Sequence, residues 1–255
     1  MKLSACIENT YMFNECADLP ERIGAARAAG LDMVEFHMWA DRDLDAIERA
    51  LRTAQVQLAC LVVNPRCGTA DGSKLDFFVD AMTKTIAAAK RFGARGVIAA
   101  GGPAVAGASA ADQHAATVRL LRAIAPVAER EGVQIWVENL NSRIDHKGFF
   151  LDTAAECLEV IGEVNSPAIK LLYDVYHSVV MGEEPADVIR HVDRIGHIQV
   201  ADTNGRHEPG SGTIDWVGVV LALRQSGYSG DIGMEYRPTG DSAASVAQTR
   251  RVLGL

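Results

Sequence analysis

The chain has 255 residues, 48% of them hydrophobic, with 33 acidic side chains against 25 basic ones and a net charge of −8. That length suits one large globular domain over residues 1–255, near the usual size of an eightfold β/α barrel, and the acidic balance argues against a nucleic-acid partner, which leaves a basic patch or stripe. No apolar run approaches 18 residues and no basic start leads into an apolar segment, so the sequence predicts a cytoplasmic protein with no signal peptide and no membrane span.

Leu3 to Ile7 is a short apolar run closed by Glu8 and Asn9, and reads as the first strand. Asp18-Leu19-Pro20 then starts a helix with Ile23, Ala26 and Ala29 at helical spacing, stopped by Gly30. Asp32 to Met38 is a second strand, followed by a helix with Leu44, Ile47, Leu51 and Ala54 on one face. Leu58 to Val63 is a third strand running into the turn residues Asn64-Pro65-Arg66-Cys67-Gly68, and Leu75, Phe78, Val79, Met82, Ile86 and Ala89 give the clearest amphipathic helix, ended by Gly93. Val97 to Ala100 is a fourth strand. The Gly101-Gly102-Pro103 segment after it lacks the spacing of a nucleotide fingerprint and reads as a flexible loop rather than an anion cradle. A helix over Thr117 to Arg130 leads into the fifth strand, Ile135-Trp136-Val137-Glu138.

Helix five is predicted over Thr153 to Ile161 behind an Asp152 cap, and strand six ends in Asp174. A short helix near Ala186 to His191, strand seven from Ile195 to Val200, a polar loop from Asp202 to Gly212 and a helix capped by Asp215 follow. Strand eight ends in Glu235, and a last helix covers Ala243 to Leu253. Eight strands alternating with eight helices are the pattern of an α/β protein, here a single (β/α)8 TIM barrel, with a doubly wound sheet as the alternative. The cysteines met on the way (Cys6, Cys16, Cys60, Cys67 and Cys157) are odd in number and without paired zinc-ligand spacing, so they read as buried small hydrophobes in a reducing compartment.

Four consecutive strands end on an oxygen-bearing side chain: Glu138, Asp174, Gln199 and Glu235, separated by 36, 25 and 36 residues. Each interval is one strand–loop–helix–loop unit, which makes the strands parallel and brings the four residues to the same rim of a barrel. A single carboxylate at a strand end is usually a helix cap or a salt-bridge partner. Four in series form an all-oxygen set suited to a hard divalent cation, Mg²⁺ or Mn²⁺, with positions left for a hydroxy-carbonyl substrate. Such a cation would polarise the carbonyl and stabilise an enediolate, while Glu138 and Glu235 each keep an oxygen for proton transfer. His177, three residues after Asp174, is placed to hydrogen-bond a substrate oxygen, and Arg206, in Arg206-His207-Glu208-Pro209, to fork onto a carboxylate or polyol.

At these residues the chain resembles the xylose-isomerase-like barrel superfamily, and within it the hydroxypyruvate isomerase group, through Val137-Glu138-Asn139-Leu140-Asn141, Asp174-x-x-His177, His197-Ile198-Gln199 and Gly205-Arg206-His207-Glu208-Pro209. The resemblance implies that Glu138, Asp174, Gln199 and Glu235 bind the metal, that Glu138 and Glu235 transfer the proton, and that His177 and Arg206 contact a small hydroxy-carbonyl acid or sugar; it is also compatible with a homo-oligomer. Ketose 3-epimerases usually carry histidine at the position of Gln199, which favours an aldose–ketose type isomerase. The segment Val63 to Gly72 departs from the hydroxypyruvate isomerase pattern, and Gly210 to Trp216 looks more like the sugar epimerase and inosose branches, so a ketose 3-epimerase or an inosose isomerase or dehydratase on the same metal site is the alternative. An abasic-site endonuclease would need a zinc-binding histidine cluster and a basic groove. A binding protein that had lost catalysis would be expected to lack Glu138 or Glu235.

Overall fold

A computed structural model describes residues 1–8 and 16–255, so Asn9 of the predicted first strand end lies outside the described residues. Among them, nine parallel strands form one sheet: β1 (Leu3–Cys6), β2 (Met33–Glu35), β3 (Gln57–Leu58), β4 (Cys60–Val62), β5 (Gly96–Ala100), β6 (Gln134–Glu138), β7 (Ile169–Asp174), β8 (Ile195–Val200) and β9 (Ile232–Met234). The predicted third strand is split at Ala59 into β3, which pairs with β2, and β4, which pairs with β5. Ala59 itself bonds both ways, its N–H to the Val34 carbonyl at 2.9 Å and its carbonyl to the Gly96 N–H at 3.3 Å. The two halves form one stave, which closes an eight-stave barrel and excludes a doubly wound sheet.

The helices cover the outside by burying one face each. The second, Leu44–Ala54, is capped by Asp43, whose side chain accepts from the Ala46 N–H, and the third, Leu75–Phe92, buries Phe78, Met82, Ile86 and Ala89 before ending at Gly93, left-handed at φ 69°. Three predictions are corrected. The fourth helix starts at Ala110, not Thr117, because Ser109 and Asp112 close a capping box on an alanine-rich first turn that shows no apolar periodicity. The fifth, Ala154–Val164, is capped by Thr153 rather than Asp152. An additional helix, Val175–Met181, follows β7 without a loop, capped by Asp174 itself, and the short helix beyond it spans Pro185–Ile189. No described helix is long and apolar enough to cross a membrane.

The barrel interior carries an unusual floor. The Trp136 indole stacks on the His197 imidazole, ring centres 4.8 Å apart and planes 13° from parallel. Glycine makes the room: a Cβ on Gly96 or Gly196 would lie 2.4 Å from indole atoms, and one on Gly233 would lie 2.3 Å from Glu35 Oε1. Glu35 is buried in this floor; its Oε1 accepts from the Ser4 hydroxyl and from His197 Nε2 (2.8 Å), and its Oε2 from Gln199 Nε2 (2.9 Å).

Candidate active site

The strand ends deliver the side chains above this floor. In the β6–β7 register Glu138 lies opposite Leu172, two residues before Asp174, and in the β7–β8 register Asp174 lies opposite Gln199, so all three side chains face the barrel axis. Glu235 follows β9 directly. One ligand atom from each of Glu138, Asp174, His177 and Glu235 falls within a mutual 4.8 Å, and all four residues are buried. Gln199 lies one step lower, its amide nitrogen held by Glu35.

Asp174 serves two ends at once. Its Oδ1 accepts from the His177 N–H (2.9 Å) as a helix cap, whereas its Oδ2 is buried and has no hydrogen-bond partner among the described residues. Asn139 clamps the Asp174 backbone from both sides, donating to its carbonyl (3.2 Å) and accepting from its N–H (3.1 Å). Gln199 is similarly divided: because Glu35 takes Nε2, the carbonyl oxygen Oε1 is the end left over, and it too is buried without a hydrogen-bond partner among the described residues. Two orphaned acceptor oxygens beside converging carboxylates are costly unless a cation satisfies them, so the donor set fits a hard divalent ion.

His177 is fixed as a donor. Asn141 presents its amide nitrogen to His177 Nδ1 at 2.5 Å, which places the imidazole proton on Nε2, and Asn141 is itself anchored on Asp145 (2.7 Å). Burial, reinforced by the nearby Arg206 charge, pushes His177 down to about 3, so the ring is neutral. Arg206 reaches in from a turn in which Asn204, Gly205 and Arg206 have φ of 63°, 107° and 59°. This left-handed run costs backbone energy and turns the guanidinium inward. Its Nη2 donates to Glu235 Oε2 (2.6 Å), lies 3.7 Å from Asp174 Oδ2, and the guanidinium packs over the Tyr176 ring at 5.4 Å.

The carboxylates respond unequally. Burial, then the neighbouring Glu235 and Asp174, push Glu138 well above the usual carboxylate range, and burial pushes Asp174 up to about 7. Burial acts on Glu235 as well, but Arg206 and His37 outweigh it and hold this group well below that range. Two carboxyl groups whose environments drive them apart are suited to exchanging roles as acid and base.

A cavity of about 270 Å³ opens onto the cluster, lined among others by His37, Arg66, His146, Phe149, Glu138 and Glu235. A wider groove of about 780 Å³ at the other end of the barrel, around Arg95, Gln134 and Tyr228, contains none of the predicted residues. The Gly101-Gly102-Pro103 segment is not a flexible loop: Gly101 is so close to Phe150 that a Cβ would lie 1.9 Å from its carbonyl oxygen, and Gly102 accepts from the Phe150 N–H (2.9 Å), making it a wall of the cavity. The structure thus gathers Glu138, Asp174, His177, Glu235 and Arg206 and seats Gln199 beneath them. The sequence reading missed His37, whose Nε2 lies 3.1 Å from Glu235 Oε1, along with Glu35, Asn139 and Asn141. Strand alternation was the available signal, since Glu35 and His37 share a face of β2 and its extension.

The pattern of the xylose isomerase-like TIM barrel matches residues 23–253. The chain belongs to this family. Hydroxypyruvate isomerase of Escherichia coli is 29% identical over 230 residues, covering 87% of this chain and 88% of its own, and 2-oxo-tetronate isomerase of Cupriavidus necator is 33% identical over 131 residues, 51% and 50% of the two chains. Among solved structures, an AP endonuclease family 2 protein from Brucella melitensis superposes with a TM-score of 0.89 at 25% identity, covering 98% of both chains. This xylose isomerase-like barrel is an enzyme of the isomerase class.

Proposed function

We propose that the protein is a divalent-metal-dependent isomerase that interconverts the aldehyde and ketone forms of a small hydroxy-carbonyl acid or sugar. The observation that carries this reading is the pair of orphaned oxygens, Asp174 Oδ2 and Gln199 Oε1, beside the converging Glu138 and Glu235. Glu138, Asp174, Gln199 and Glu235 are the residues that would hold Mg²⁺ or Mn²⁺. When bound, the ion supplies Lewis-acid polarisation of the substrate carbonyl.

The chain's own groups supply the rest. One of Glu138 and Glu235 removes the proton from the hydroxyl-bearing carbon next to the carbonyl, leaving an enediolate; the other delivers a proton to the former carbonyl carbon, while the hydroxyl proton passes to the former carbonyl oxygen. His177 donates its Nε2–H to a substrate oxygen. Arg206, paired with Glu235 in the free protein, turns its fork to a substrate carboxylate or hydroxyl pair. The apolar wall of Val62, Ile98, Leu140 and Phe149 narrows the cavity around the reacting carbons, and between turnovers the two glutamates exchange their protons with solvent.

Proton NMR in D₂O with the Mg²⁺-loaded protein tests the reading, using hydroxypyruvate, four-carbon keto acids, pentoses and ketohexoses beside a Glu235→Gln control. Deuterium entering next to a carbonyl, with conversion between aldehyde and ketone and a silent control, is the expected result. Exchange that only inverts a centre beside a ketone assigns the protein to the 3-epimerases. No exchange on any substrate, with metal binding confirmed, overturns the proposal.

A further inference from the structure

Glu235 faces two clusters. Its Oε2 meets Arg206, while its Oε1 points to His37, whose Nε2 also lies 3.5 Å from the Cys6 thiol. Cys6, His37 and Glu235 are all buried, and their ligand atoms lie within a mutual 4.8 Å.

Hydrogen bonding alone fits this trio poorly. Nε2 carries at most one hydrogen, so it cannot aim a linear bond at both Sγ and Oε1, and as an acceptor from the thiol it would turn a lone pair towards a carboxylate. The separations match something else. A tetrahedral zinc ion with thiolate at about 2.3 Å and nitrogen or oxygen at about 2.0–2.1 Å spans an S···N edge of about 3.5 Å and an N···O edge of about 3.3 Å. The observed edges are 3.5 and 3.1 Å. The strand end carrying His37 is also fixed, because Glu8 Oε2 accepts from the backbone N–H groups of His37 (2.6 Å) and Met38 (2.7 Å). His37 and Glu235 line the cavity, which gives an ion a way in.

We propose that Cys6, His37 and Glu235 form a second cation site, selective for a thiophilic ion such as Zn²⁺, that competes with the oxygen-rich cluster for Glu235. Sulfur and imidazole donors select zinc over magnesium and manganese, so the two sites differ in ligand softness while sharing one carboxylate. Zinc in the second site ties up Glu235 and weakens Mg²⁺ or Mn²⁺ in the first; this antagonism, unlike the site itself, rests on the reading of Glu235 as a ligand in the first cluster.

The test uses Co²⁺ as a spectroscopic substitute for zinc on the metal-stripped full chain. A sulfur-to-cobalt charge-transfer band in the near ultraviolet is expected in the wild type and in Asp174→Asn, and is expected to disappear in Cys6→Ala and weaken in His37→Gln. No band in the wild type, or a band that persists in Cys6→Ala, overturns the site. The antagonism is read by electron paramagnetic resonance of bound Mn²⁺: the zinc concentration that releases half of it should rise by about tenfold or more in Cys6→Ala, the range by which loss of a supporting group changes metal affinity. Equal zinc concentrations for both proteins overturn the antagonism, and failure of the wild type to bind Mn²⁺ at all counts against the proposed function instead, because the cobalt band is scored separately.

Discussion

Glu35 and Glu138 are buried carboxylates in one barrel, yet their surroundings drive them in opposite directions. Burial would raise Glu35, but the adjacent His197 and hydrogen bonds from His197, Ser4 and Gln199 bring it below the usual range. Glu138 has no such donors among the described residues, and burial with two like-charged neighbours sends it up. A carboxylate whose lone pairs are all taken is part of the scaffold. One left short of donors in a buried site stores a demand for a cation or a proton, and that demand marks the working level of the barrel.

The comparison can be broken first at the floor. Glu35→Leu strands the donors of Ser4, His197 and Gln199 in the interior and should destabilise the protein by about 3–5 kcal/mol in denaturant unfolding; a loss below about 1 kcal/mol would show that the floor does not depend on this carboxylate. Gly233→Ala pushes a methyl group into Glu35 and His197 and should cost about 1–3 kcal/mol by the same measurement, with the Glu35–His197 contact displaced.

At the upper level the signature is pH. Asp174, at about 7 in the folded metal-free protein against about 3.9 in an unfolded chain, is raised, so its contribution is fully present below about pH 4 and is lost as the pH climbs to about 7. Thermal melting of the metal-free protein over that window should show stability falling with rising pH, and Asp174→Asn should flatten the fall; an unchanged slope in the variant would assign the titration elsewhere. The smallest effect is on stability at about pH 4, where Asp174 is protonated and as neutral as Asn. Asn caps a helix about as well as Asp, so there Asp174→Asn should leave unfolding of the metal-free protein within about 1 kcal/mol of the wild type, while at neutral pH it abolishes the rise in melting temperature that Mg²⁺ or Mn²⁺ gives the wild type. A stability loss as large as that of Glu35→Leu would erase the distinction between the two levels.

The working level was legible in the sequence because a parallel barrel converts regular spacing into convergence: Glu138, Asp174 and Glu235 needed only the strand count to be placed together. The floor was not. Glu35 sits in the middle of the predicted Asp32–Met38 strand, between Val34 and Phe36, where one carboxylate in an apolar run has no spacing partner to betray it, and its donors come from β1 and β8, distant in sequence. Cys6 read as a small hydrophobe because its neighbour His37 is 31 residues away. The Val175–Met181 helix escaped because β-branched Val175, Val179 and Val180 continue the strand-like composition of β7, and only the Asp174 side chain, bonded to the His177 N–H, signals the change of direction. For Asp174 the structure shows the helix cap at Oδ1 and leaves Oδ2 as the atom for the proposed metal role.

The bond between Glu35 and Gln199 also bears on how such barrels diversify. A carboxylate that accepts from an amide N–H can accept as readily from an imidazole N–H, and in each case the side chain is left with a second, lone-pair-bearing atom to present on its far side. Position 199 can therefore exchange glutamine for histidine, an oxygen donor for a nitrogen donor, without any change in the layer below. In this chain Glu35 offers the acceptor that either side chain needs, so the character of the rim at this position is a matter of a single substitution.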